Sequence, residues 1–250
     1  MKHLLIYFFL LSISYSQTKT VHVFVSLCDN KYQGIVKVPE QLGNGQIPAS
    51  NLYWGALYGL KTHFKKSKDW KLVSTLKSDN PIILERLLFK HVSEDVYLLA
   101  DAYNGKNIRE CMEHFLMAVN GQREQKVVYQ NKSLIFGGKS NLASFIGHNG
   151  LMDTSVDVKY VSKTTNKVET IILACKSKDY FIEDIKNAGG KPLVWTTNYM
   201  APEAYVLKAA LDGWINKEST SQLVERAAQA YNTYQKCGIN GARRLFTGGF

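Results

Sequence analysis

The chain has 250 residues, 45% of them hydrophobic, and a formal net charge of +10. That composition excludes a disordered polymer, and the length suffices to bury a core without disulfide staples or a structural metal. The densest positive cluster is Lys61, Lys65, Lys66, Lys68 and Lys71, with no nucleic-acid module or row of stacking aromatics beside it. It reads as a solvated face and not as a nucleic-acid interface.

Residues 1–16 combine a basic start (Met1-Lys-His3), an apolar stretch from Leu4 to Leu11, and small residues at Ser14 and Ser16. This is the pattern of a secretory signal peptide, here cleaved before Gln17. The apolar stretch is short of the roughly 20 residues that span a bilayer, and no later stretch is long enough. The mature chain, 17–250, is therefore expected as one exported domain, periplasmic or secreted. Such a compartment permits disulfides among Cys28, Cys111, Cys175 and Cys237, with three full pairings open. None of the four has zinc-site spacing, and nothing in the sequence asks for a metal or another cofactor.

In chain order, Val21 to Asp29 reads as a first strand, followed by a long loop through Gly34, Pro39 and the Gly43-Asn-Gly45 turn. A helix is expected over 51–64, a strand over 70–76 and a helix over 81–90. Asp95 to Asp101 is a further strand, running into Ala-Tyr103. Asn107 and Glu110 have capping-box spacing ahead of Ile108, Cys111, Met112, Phe115, Leu116 and Val119, which recur at helical period. The stretch from Gly121 to Ser133 is polar. Gly137-Gly-Lys-Ser140 lacks the first glycine of a phosphate loop, because Ser133 occupies that position.

Two apolar runs then end at reactive side chains: Leu142-Ala-Ser-Phe-Ile-Gly-His148 and Thr170-Ile-Ile-Leu-Ala-Cys175. Between them a hairpin is expected over 156–160 and from Lys167 onward. A helix over 179–187 and a strand over 192–197 follow. Pro202 opens another helix, and Ser219 with Gln222 caps the last one. Alternating strands and helices predict an α/β fold, a three-layer α/β/α sandwich on a mostly parallel sheet of about six strands.

In a parallel sheet the polar residues closing the strands gather at one edge. These are Asp29 and Asn30, Asp101 and Tyr103, His148 with Asn149 and Gly150, Cys175 and Lys176, and Thr197 with Asn198 beyond Trp195. A thiol beside an imidazole is the pairing of a nucleophile and its base. His148 takes the thiol proton and returns it to a leaving amine, while backbone N–H groups around Asn149, Gly150 and Cys175 hold an oxyanion. Serine and metal hydrolases are disfavoured, because G-x-S-x-G and H-E-x-x-H are both missing.

Phe145-Ile-Gly-His148-Asn-Gly150 and Ile171-Ile-Leu-Ala-Cys175 resemble the paired His and Cys strands of the caspase-like cysteine peptidase superfamily. That group includes caspases, gingipains, legumain, separase and CHAT domains. The order of elements from His148 to Tyr234 is similar too. The resemblance implies a caspase-like fold, His148 as general base and Cys175 as nucleophile, and a peptide or protein substrate. It also implies that Asp29 lies near the substrate side-chain pocket and favours a basic residue. The chain departs from the family in carrying Asn149 directly after the His, and Ser177 two residues after the Cys. These departures keep a second reading open, a catalytically silent module of the same fold that binds a partner at the strand edge.

Overall fold

The structure, a computed structural model, describes residues 17–161 and 167–250. The expected signal segment and the middle of the expected hairpin lie outside the described residues. The first half contains β1 (Lys19–Ser26), α1 (Leu60–Lys66), β2 (Trp70–Leu76), β3 (Ile83–His91), β4 (Val96–Tyr103) and α2 (Ile108–Val119). The strands β5 (Gln125–Tyr129), β6 (Lys132–Phe136), β7 (Leu142–Ile146) and β8 (Glu169–Leu173) come next. They are followed by α3 (Ser177–Ala188), β9 (Lys191–Thr196), α4 (Ala204–Ile215), α5 (Thr220–Gln235), α6 (Ile239–Leu245) and β10 (Phe246–Thr247).

Eight strands form one mixed sheet in the order β10-β9-β8-β7-β1-β4-β3-β2. The five from β9 to β4 are parallel. The strands β3 and β2 extend one side antiparallel, and β10 closes the other. All six expected strands are present, and β3 and β10 are additions. The chain builds outward from β1 in both directions, so the strand order reverses there. In open α/β sheets that switch point is where ligand crevices form.

The parallel strands are nearly continuous apolar runs because helices cover both faces. On one face, Phe115 of α2 and Phe181 of α3 pack with Phe145, their ring centroids 5.8–6.4 Å apart. On the other, Val23, Ile146, Ile171 and Leu173 share a core with Phe64 of α1, Leu207 and Leu211 of α4, and Leu223 of α5. The hairpin β5–β6 lays Val127, Leu134 and Phe136 over Leu88, Tyr97 and Leu99.

Four local expectations are corrected. Residues 83–91 are a strand, β3, because both of its faces are covered: Leu87 and Phe89 enter one core and Leu88 another. That continuous burial mimics helical spacing. Residues 51–59 form turns, and the helix begins only at Leu60. The hairpin lies at 125–136, turning through Gln130 and Asn131 at positive φ, and 156–160 form no strand. Asn107 precedes α2 without capping its backbone, and its amide donates instead to the Glu110 carboxylate at 3.1 Å. The Ser219–Gln222 capping box forms as expected.

Candidate functional site

The strands β7 and β8 pair in a constant register from Leu142 with Glu169 to Ile146 with Leu173. The pairing ends there, and His148 and Cys175 each follow two residues beyond it. Both emerge at the carboxyl edge, next to the switch point, and line one cavity. Gly147 makes the exit possible: its φ is +152°, and a Cβ there would lie 2.9 Å from the Ser26 carbonyl oxygen.

Beyond Cys175 the chain reverses abruptly. Lys176 adopts the left-handed conformation (φ 47°, ψ 37°) and leads into α3. A non-glycine residue held there costs on the order of 1–3 kcal/mol, so its surroundings must enforce it. The Lys176 N–H donates to the Asn198 carbonyl at 3.0 Å. Buried Ser177 locks the next step: its hydroxyl donates to the Ile172 carbonyl at 2.9 Å and accepts from the Thr196 N–H at 2.9 Å. The Ser177 N–H donates to the Thr196 hydroxyl, which in turn bonds the Ala174 carbonyl. Ser177 thus fastens the turn to β9.

His148 is buried, and its Nε2 lies 2.6 Å from Oδ2 of Asp153. With a carboxylate on Nε2, that nitrogen carries the proton and Nδ1 is the basic one. The same Oδ2 accepts the Gly34 N–H at 2.9 Å. Asp153 closes the short 3₁₀ turn at 150–152, where its N–H donates to the Gly150 carbonyl at 3.0 Å. Sequence reasoning missed it. Its only signal was an acid five residues past the histidine, in a turn with no periodicity to mark it.

Asn149 and Gly150 take different parts from those expected. The Gly150 N–H donates to the His148 carbonyl at 3.1 Å and is spent. The Asn149 side chain donates to the Cys175 carbonyl at 2.7 Å and accepts the Leu151 N–H at 3.1 Å. Among the described residues, the backbone N–H groups of Asn149 and Cys175 meet no intramolecular acceptor.

All four cysteines are free, with Cys28 and Cys111 buried, Cys175 partly exposed and Cys237 exposed. Burial pushes the Cys28 thiol up to about 11 and the Cys111 thiol well above its ordinary range. The Cys175 sulfur sits against the Met200 backbone, 3.4 Å from its N–H and 3.5 Å from its carbonyl oxygen.

His148 and Cys175 open into one cavity of about 470 Å³, whose walls come from the loops after β1, β7 and β9 and from Tyr53. The other sequence-predicted residues do not line this cavity. Asp29 is buried, accepting from the Lys31 and Tyr32 N–H groups at 2.9 and 3.2 Å and from the Gln46 amide at 2.6 Å. The Asn30 side chain clamps Val38 through two backbone bonds, of 2.8 and 3.0 Å, and so shapes the loop that forms one wall.

Asp101 is corrected from a strand-end residue to an interior one, because β4 runs on to Tyr103. It is fully buried, bonded by Arg86 at 2.6 and 2.7 Å and by His22 at 3.0 Å. Tyr103 packs beneath α2, with its hydroxyl 3.1 Å from Nδ1 of His114. Trp195 belongs to the core shared with α2 and α3. The Thr197 hydroxyl donates to the Arg244 carbonyl at 2.7 Å, and Asn198 supports the turn at Lys176.

Among the described residues no helix is long and apolar enough to cross a membrane, and no group of three or more His, Cys, Asp or Glu side chains is placed to hold a metal. No protein-family profile, curated protein or solved structure matches this chain.

Proposed function

We propose that this chain is an exported, caspase-like cysteine hydrolase that cleaves peptide bonds, with Cys175 as nucleophile and His148 as base. The observation that carries the reading is the shared register of β7 and β8, which delivers imidazole and thiol to the mouth of one cavity. Asp153 adds the third group of a nucleophile–base–carboxylate set, fixing the imidazole tautomer.

In this reading Nδ1 of His148 takes the thiol proton, and the sulfur attacks the peptide carbonyl carbon. The oxyanion falls to the free N–H groups of Asn149 and Cys175. The C–N bond then breaks as imidazolium returns the proton to the leaving amine, leaving a thioester. Water, deprotonated by His148, attacks the thioester and restores the thiol as the acid product leaves.

A second reading, a catalytically silent binding module, draws on the Cys175 sulfur being held against the Met200 backbone, 3.5 Å from its carbonyl oxygen and 3.4 Å from its nitrogen. Hydrolysis of a fluorogenic peptide-amide library by the 17–250 chain separates the two. Turnover lost in both Cys175→Ala and His148→Ala supports the hydrolase. Turnover that survives in both variants, or its absence from the unaltered protein with Cys175 slow to alkylate, overturns it.

A further inference from the structure

The resemblance points to Asp29 as the selector of a basic substrate side chain, but the Asp29 carboxylate is engaged by three N–H donors of its own loop. The cavity at Cys175 has a different chemistry. Its walls are Ile35, Val38, Leu52, Met200, Ala201 and Pro202, backed by the buried ring of Tyr53. At the lip, Val36 is 92% exposed and Tyr199 62% exposed, so two large apolar groups stand in water beside the opening. Exposed apolar surface that continues into an apolar cavity marks a place where a partner completes the burial. Among the described residues no lysine or arginine lines the cavity, and at its lip the Lys176 ammonium is engaged over the Tyr199 ring, 4.9 Å from the centroid. The one acid, Glu203, is taken up by its neighbours: the Tyr205 hydroxyl and the Gln235 amide both donate to its Oε2, at 2.9 and 3.0 Å. Burial raises its carboxyl toward the neutral form.

We infer that this cavity is the specificity pocket for a large apolar side chain, so that the substrate class is a peptide with leucine, methionine or an aromatic residue on the carbonyl side of the scissile bond. The inference rests on the hydrolase reading for its chemistry, while its recognition part stands on the cavity alone. A volume of about 470 Å³ accommodates an aromatic ring together with the backbone that carries it. An apolar pocket separates side chains by about 10–200-fold per methylene-sized difference. Leucine and phenylalanine should therefore exceed glycine, aspartate and lysine by about 10²-fold or more.

The test uses peptidyl chloromethyl ketones ending in Leu, Phe, Lys, Asp or Gly, with the rate of Cys175 labelling read by intact mass and referred to iodoacetamide on the same protein. The Leu and Phe reagents are expected to label about 10²-fold faster than the Asp, Lys and Gly reagents. Ala201→Phe, which fills the cavity, should lower the ratio of Leu-reagent to iodoacetamide labelling at least about tenfold. Equal rates for all five reagents, or a fastest Asp reagent, overturn the proposal. A fastest Lys reagent that loses its advantage in Glu203→Gln also overturns it and makes the pocket a cation site. If apolar reagents label fastest yet no peptide amide is hydrolysed, the pocket stands and the hydrolase reading falls.

Discussion

The side-chain amide of Asn149 donates to the carbonyl of Cys175 at 2.7 Å, while its oxygen accepts from Leu151 at 3.1 Å. One side chain therefore ties the end of β7 to the end of β8 and to the turn that carries Asp153. The residue that departs from the caspase-like pattern after the histidine does positional work here. Among the described residues its backbone N–H meets no acceptor.

Asn149→Ala removes the donor from the Cys175 carbonyl and the cap from the 150–152 turn. An acceptor left without a partner costs about 1–3 kcal/mol, so the unfolding free energy should fall by that amount, read as a lower urea midpoint with an unchanged m-value. Asn149→Asp, which keeps the acceptor for Leu151 but not the donor, should fall nearly as far. A midpoint unaltered in both variants would remove the structural role assigned to this residue.

Asp153→Asn places an amide where the carboxylate holds His148. Under the proposed reaction, kcat should drop by about 10²–10⁴-fold, the size seen when a base loses its orienting carboxylate. Because Asp153 also holds the Gly34 N–H, Asp153→Ala should raise KM as well, which Asp153→Asn should do less. Peptide-hydrolysis kinetics on the two variants check the split.

Native alkylation should modify two thiols and denatured alkylation four. The exposed Cys237 and the partly exposed Cys175 are accessible, whereas Cys28 and Cys111 are buried and their thiols raised. The thiolate is the reacting form, so the buried pair should lag by orders of magnitude. In Cys237→Ser the native count should fall to one, and peptide mapping should place it at Cys175.

Stability should fall as the pH drops below about 6.5, the ordinary histidine value. Burial lowers His22, His63 and His91, and it pulls His114 down to about 4. A base whose folded pKa lies below its unfolded one contributes fully above the unfolded value. That contribution is lost as the pH falls through the window toward the folded value. The melting temperature should therefore be lower at pH 5 than at pH 7.5. His114→Gln, which keeps an acceptor for the Tyr103 hydroxyl, should shrink the difference.

Strands were legible wherever an apolar run stopped at a polar residue, as at Ile146 before His148 and at Leu173 before Cys175. The strand β3 was not, because burial on both faces erases the alternation that announces a strand. Its buried Arg86 looks like a surface residue until Asp101 arrives from β4 to pair with it bidentately at 2.6 and 2.7 Å. The two residues of β10 carry no period at all. At the site, His148 and Cys175 could be read because strands placed them. Asp153, Met200 and Glu203 could not, since each sits on a turn or loop segment whose course only tertiary contacts fix. Asp101 was misplaced by the two-residue extension of β4 to Tyr103.

The Oδ2 atom of Asp153 serves two masters, the imidazole at 2.6 Å and the Gly34 N–H at 2.9 Å. Gly34 begins the stretch that forms one wall of the cavity. Wall and base are thus fastened to the same atom, like two doors on one hinge pin. A substrate that fits poorly and pushes the wall outward also draws the carboxylate off the imidazole. In the proposed enzyme, a bad fit is then felt as slowed proton transfer after binding. Discrimination among bound peptides should register in turnover more than in occupancy.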